Sequence, residues 1–248
     1  MATVQVSFYT KTKGWKRDLI EIVSGTPYEV FVSKTIPNKD RIQSLITQFD
    51  NTNNISEEAI RHLIDNPFKE TKDSPIYTYT KVSLINDNYS THLSSAEKSA
   101  ISKILYDFSE DIQKRNYNRD LIDNIRSECR KPNMLNKDPY SFITKYCCHH
   151  NPDNYPIFDS YVEIMLKWFS DLEDVPFHTT DKNSDFCNYD FFRNVLMQFK
   201  EYCETNRIIE SISYRNLDKY LWSAGKEFFN PYINKKDYEK YKNNPNLY

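Results

Sequence analysis

The residues best suited to chemistry lie close together, between Tyr140 and Val162. Asp159 follows Tyr155-Pro156-Ile157-Phe158 and precedes Ser160-Tyr161-Val162. The pattern predicts a helix with Pro156 and Asp159 in its first turn, continuing through Tyr161, Ile164, Met165, Trp168 and Phe169. Proline suits a helix start because its missing N–H would be unpaired there anyway, and the free amides at that end favour an anion. Asp159 therefore reads either as local helix chemistry, a capping or first-turn acid, or as a carboxylate shown to a ligand. Upstream, Lys145 falls one helical turn after Ser141 on the same face. Its ammonium would serve as nucleophile, as stabiliser of a leaving group or as partner of Asp159, unless it is a surface lysine on an amphipathic helix.

Cys147-Cys148-His149-His150 has the residue types of a zinc site but not the geometry. Neighbours on a helix point about 100° apart, so four in a row do not close one tetrahedron, and no metal is expected. His149, His150 and Asn151 end the same helix, where a His would exchange a proton with a departing group or simply complement the helix C-terminus. Tyr155, Phe158, Tyr161 and Trp168 offer aromatic faces to a planar ligand or to the core.

The elements that must position these groups read as mainly α. Ile101, Ile104, Leu105, Phe108 and Ile112 recur at helical spacing, as do Leu121, Ile122 and Ile125, then Phe142, Ile143 and Tyr146. Asp190 to Tyr202 and Leu217 to Phe229 form two further amphipathic patterns. The first ninety or so residues are less uniform. Trp15 to Val23, Lys39 to Phe49 and Ser56 to Ile64 have helix periodicity, with half a capping box at Ser56. Val4, Val6 and Phe8, Val30 and Val32, and the Thr- and Tyr-rich run Ile76 to Ile85 predict short strands. Polar segments at Asn86 to Ser95 and Thr179 to Ser184 read as loops. The expectation is a mixed α/β part over residues 1–93 and a helical domain over 94–248.

Composition narrows the function classes. The chain has 248 residues and only 3 glycines, Gly14, Gly25 and Gly225, too scattered for a phosphate-cradling loop or a dinucleotide fingerprint, so no cofactor is expected. Five cysteines in no framework spacing, with no apolar signal segment, point to a reducing cytoplasmic setting, and no apolar run is long enough to span a bilayer. The formal charge of -2 gives no general attraction to nucleic acid. It is unevenly spread: seven Lys/Arg against four Asp/Glu in Arg115 to His150 and again in Tyr214 to Tyr248, with four against eleven in Asn151 to Glu204. That pattern fits a DNA path beside an acidic face, and equally fits solvated helix surfaces.

The run from Ser141 to Asp159, ending Tyr155-Pro-Ile-Phe-Asp-Ser-Tyr-Val162, resembles the active-site region of the helix-hairpin-helix DNA glycosylase superfamily. There a helix bearing Lys or Ser leads through a short loop to an aromatic or apolar residue, Pro, two apolar residues and the catalytic Asp, and the spacing agrees without a gap. The resemblance implies a helical glycosylase-like fold with Asp159 as the catalytic carboxylate. It puts Ser141 in the slot held by Ser in the mismatch-adenine branch or by Lys in the bifunctional branch, whereas the oxoguanine branch would point to Tyr140. Asp138-Pro139-Tyr140 stands where the family's Gly-rich, phosphate-binding hairpin would lie, which is a departure from the pattern.

What the resemblance implies is hydrolysis of the N-glycosidic bond of a damaged or modified base flipped from DNA, a repair reaction, with Asp159 opposing the positive charge on the sugar or activating water. With no Lys in the Ser141 slot a monofunctional route is favoured, with Lys145 assisting. Tyr140, His149, His150, Tyr155, Phe158, Tyr161 and Trp222 are the candidate substrate-binding residues. Trp222 belongs to a polar-aromatic helix with Asp218, Lys219, Tyr220 and Lys226 that would pack beside Asp159. Two other classes remain: a non-catalytic helical module binding nucleic acid or protein, and a helical interaction protein of a defence or mobile-element system with no nucleic-acid role. The first would bind its partner unchanged after Asp159→Asn, and the second would show no salt-dependent oligonucleotide binding.

Overall fold

The computed structural model describes residues 27–65, 74–114, 116–132, 134–135, 137–172, 175 and 186–233. Among them every regular element is a helix, which overturns the expected mixed α/β part. Val30 and Val32 lie in helix α1, Tyr28–Thr35, and Ile76 to Ile85 lies in helix α3, Pro75–Tyr89. Val4, Val6 and Phe8, the helix expected over Trp15 to Val23 and the loop expected at Thr179 to Ser184 fall outside the described residues.

The reason for the error is visible in α3. Its Thr, Tyr and Val content is strand-like, but the buried residues are Tyr77, Thr78, Lys81, Val82, Ile85 and Asn86, a repeat close to 3.6 rather than 2. Local signals agree with the helix. Ser74 Oγ accepts the Tyr77 N–H at 3.3 Å, Pro75 opens the first turn, and Ser90 closes the helix at φ 48°.

Helix α2, Lys39–Asp65, joins what the sequence suggests are two helices, so Ser56 starts nothing. Its start is fixed by Asn38, whose Oδ1 accepts the Arg41 N–H at 3.0 Å. Helix α4, Ser95–Asp107, opens with a full capping box between Ser94 and Glu97, and the short α5, Ser109–Gln113, follows it. Next come α6, Leu121–Cys129, and α7, Tyr140–His150. Helix α8, Ser160–Asp171, starts later than expected: Asp159 is its extended N-cap rather than a first-turn residue, and Pro156 lies in the loop before it. Helices α9, Tyr189–Thr205, and α10, Tyr214–Ile233, complete the order.

At the centre α8 packs along α10, α10 along α2, and α3 against α4, while α7 touches α2, α3 and α6. Trp168 anchors this centre. It is 1% exposed, meets Phe31 and Phe229 edge-on at 5.5 and 5.7 Å, and donates its indole N–H to Thr35 Oγ1 at 2.9 Å. Burying an indole with its donor satisfied holds α1 to α8 and makes Trp168 a core residue rather than a stacking surface. No helix among the described residues is long and apolar enough to cross a membrane.

Candidate functional site

Helix α7 carries Ser141 and Lys145 on one face, as an i, i+4 pair must be. The loop Asn151 to Phe158 then turns the chain back so that Asp159 arrives opposite them. That return is fixed by side chains of α7 itself. Thr144 Oγ1 accepts the Phe158 N–H at 3.1 Å, and Ser141 Oγ donates to the Phe158 carbonyl at 3.1 Å. The Lys145 amine donates to Ser141 Oγ at 2.5 Å and to Asp159 Oδ2 at 3.1 Å. The other carboxylate oxygen, Oδ1, accepts the Tyr161 N–H at 3.0 Å. One carboxylate thus serves a helix cap and an ion pair at once, with its side chain 18% exposed against 4% for Lys145.

Lys145 and Asp159 line a cavity of about 400 Å³, within the range typical of small-molecule sites. Tyr89, Tyr161, Asp218, Trp222 and Lys226 share the lining with Lys145 and Asp159. Tyr161 and Trp222 meet edge-on at 6.1 Å, and the Lys226 amine lies 4.6 Å over the Trp222 ring. A second, larger hollow of about 690 Å³ adjoins it through Glu57 and is lined by His149, Arg215, Lys219 and Asp153 among others.

Between the two hollows runs a buried polar network. Arg215 donates to Glu57 Oε2 at 2.6 Å, to the Tyr89 hydroxyl at 2.8 Å and to Asp218. The Tyr89 hydroxyl donates to Glu57 Oε1 at 2.7 Å and lies 2.9 Å from His149 Nε2. With the phenolic proton spent on Glu57, the tautomer of His149 that fits has its proton on Nε2. Burial, with Arg215 beside it, pushes His149 down to about 4. Burial pushes Asp218 up to about 7 against the pull of Arg215, with the charge of Asp159 adding to the rise. Of the three carboxyl groups that line the smaller cavity, Asp159 is paired with Lys145, and Glu57 and Asp218 share Arg215.

Of the residues selected from sequence, Asp159, Lys145, Ser141, His149, Tyr161 and Trp222 gather at these hollows. Four lie elsewhere. Tyr140 is 5% exposed, donates to the Phe186 carbonyl at 3.0 Å and packs at a tilt against Phe158 at 4.5 Å. Phe158 also meets Phe192 edge-on at 5.3 Å. Tyr155 is fully buried, its hydroxyl accepting the Asn118 N–H at 3.0 Å. His150 packs on Tyr146 at 4.7 Å, its Nε2 buried without a hydrogen-bond partner. Tyr140 and Tyr155 are core residues, and Phe158 and His150 are half-buried against the core, because the inner face of α7 and the loop after it point into the helix stack. Sequence reasoning did not single out Glu57, Tyr89 or Arg215. Arg215-Asn-Leu-Asp218 carried a trace of the signal, two opposite charges at i, i+3 on an otherwise apolar helix face.

No group of three or more His, Cys, Asp or Glu side chains among the described residues is arranged to hold a metal ion. Cys129, Cys147, Cys148 and Cys203 are buried free thiols, and Cys187 is exposed. Just ahead of α7, Asp138 is taken up by Arg126 and Arg130, at 2.6 and 2.5 Å.

Residues 39–154 match the family model described as HI_0787_N, N-terminal domain. The match takes in α2 to α7 with Glu57, Tyr89, Ser141 and Lys145, and stops short of Asp159 and Asp218. An uncharacterized protein of Haemophilus influenzae is 41% identical over 90 residues, covering 36% of this chain and 38% of that protein. No solved structure matches the chain.

Proposed function

We propose that this protein is a DNA glycosylase-like hydrolase that cleaves the N-glycosidic bond of a damaged or modified base. The observation that carries the reading is the Lys145 amine set between Ser141 and Asp159 on the wall of a cavity that also presents Tyr161 and Trp222. A flipped base would enter the cavity beside these two rings. As the bond breaks, positive charge builds on the sugar, and Asp159 supplies the opposing charge at the cavity wall. Water then adds to the anomeric carbon, with Asp159 taking its proton. Lys145 holds the carboxylate in place, and with Ser141 rather than a lysine in the nucleophile slot the route is hydrolytic rather than through a Schiff base.

The test is incubation with oligonucleotides that each carry one damaged or modified base, followed by alkali. Strand scission that Asp159→Asn abolishes supports the reading. No scission across a broad panel overturns it.

A second reading has its own support. Asp138, bound by Arg126 and Arg130, occupies the place of the hairpin that would grip DNA phosphates. It favours a non-catalytic module that keeps the helical scaffold to bind nucleic acid or a protein. On that reading Asp159→Asn binds as the parent does, and any oligonucleotide affinity falls steeply with salt.

A further inference from the structure

We infer that Asp218 is the group that delivers a proton to the departing base, facing Asp159 across the same cavity. This rests on the hydrolytic reading above and adds a second catalytic residue to it. Asp218 sits on α10, lines the cavity with Lys145 and Asp159, and is 4% exposed. One carboxyl oxygen, Oδ2, is held by Arg215. The other carries no hydrogen bond within the described residues, and the residue lines the cavity. A carboxyl fixed at one oxygen and free at the other is oriented to hand over a proton.

The groups that bear on it come from several elements: Arg215 on its own helix, Glu57 from α2, Tyr89 from α3, Lys145 and Cys148 from α7, and Asp159 ahead of α8. Burial is the dominant influence and favours the neutral acid, and Asp159 reinforces it. Asp159 is paired with Lys145, while Asp218 is the cavity carboxyl whose surroundings favour the proton-bearing form, which suits it to carry one.

The step balances. The C1′–N bond breaks and its electron pair goes to the base nitrogen. The Asp218 proton moves to the base, leaving a carboxylate beside Arg215. Water adds to C1′ and loses its proton to Asp159, and the Asp159 proton passes to solvent while Asp218 is reprotonated from solvent. The sum is substrate plus water giving free base plus an abasic sugar.

The distinguishing experiment uses leaving groups. Single-turnover rates are measured on duplexes carrying hypoxanthine, which needs protonation to leave, or N7-methylguanine, which is already cationic in the duplex and departs neutral. Asp218→Asn should lose about 100-fold or more on hypoxanthine and little on N7-methylguanine, while Asp159→Asn loses both. The wild-type rate on hypoxanthine should fall as pH rises through about 7, with no such fall on N7-methylguanine. That pH profile needs no variant and so stands even where Asp218→Asn folds poorly. Equal losses on both bases, no loss on either, parallel pH profiles, or a wild type that cleaves only N7-methylguanine would overturn the role of Asp218 and leave the hydrolase reading standing. A wild type that cleaves neither duplex overturns the role as well, and the wider base panel then decides the hydrolase reading.

Discussion

Gly225 on α10 and Tyr161 on α8 are so close that a methyl group on Gly225 would stand 2.7 Å from both the Tyr161 Cβ and the Tyr161 carbonyl oxygen. The absent side chain allows the two helices that carry Trp222 and Tyr161 to press together beside the cavity. Those atoms are backbone or next to it, so no rotamer change relieves the contact. Gly225→Ala should therefore destabilise the protein: overpacking costs about 1–3 kcal/mol, against about 1 kcal/mol gained from alanine's helix propensity. Thermal unfolding should show a midpoint several degrees lower, at about 2–4 °C per kcal/mol for a chain of this size. An unchanged midpoint would mean that α8 and α10 are not in such close contact.

Lys145 and Asp159 should behave as a coupled pair. Lys145→Met leaves a carboxylate with only its capping bond, and Asp159→Asn keeps the cap but strands a buried ammonium. Because Asp159 is in part open to the cavity, each single change should cost about 1–3 kcal/mol rather than the full penalty of a dry pair. The double variant should cost less than the sum by about 1 kcal/mol or more, read from a urea-denaturation cycle. Strict additivity would sever the two.

Lys81 should be a stability cost. It is 7% exposed, has no ion-pair partner among the described residues, and lies over the Tyr77 and Tyr146 rings at 4.8 and 5.7 Å. Burial lowers it from 10.5 to about 8, so at neutral pH the fold carries a charge it would rather shed. The penalty is full below about 8 and gone above 10.5. Lys81→Met forfeits the ring contacts, about 0.5–1 kcal/mol each, yet should be more stable by about 1 kcal/mol at neutral pH. The advantage should shrink as pH rises through that interval, which denaturation at neutral and at alkaline pH would reveal. A less stable variant at both would contradict it.

His150 should govern part of the acid sensitivity. Burial, helped by Lys81, pushes it down to about 3, so the native state keeps it neutral while the unfolded chain takes up a proton near 6.5. Its contribution is present above 6.5 and is lost as pH falls towards 3. Asp218, raised to about 7, works in the opposite sense, losing stability as pH rises from 3.8, so the comparison must be made between variant and parent. His150→Leu removes a nitrogen with no partner and should be neutral or stabilising at pH 7. Below 6 its midpoint denaturant concentration should fall less steeply with acid than the parent's. Parallel curves would remove His150 from the account.

The helices that bear the site could be read because their signals are local. Phe142, Ile143 and Tyr146 mark the inner face of α7, and Leu217, Leu221 and Phe228 that of α10, by side-chain spacing alone. Helix α3 was misread because Thr, Tyr and Val were weighed by type, whereas its identity lies in which of them α4 and α7 cover. The aromatic candidates divided for the same reason. Tyr155 and Trp222 look alike as letters in a chain, and only the packing around them puts one in the core and the other beside the cavity.

By itself the sequence determined that the chain is mainly helical, that Asp159 stands at a helix start, and that Ser141 and Lys145 share a face, because each follows from steps of one to four residues along the backbone. The tertiary structure alone decided that Glu57, Tyr89, Arg215 and Asp218, from three separate helices, meet beside that group. Burial of a charge depends on which distant helices close over it. That closure sets which carboxyl stays paired with Lys145 and which is pushed towards its neutral form.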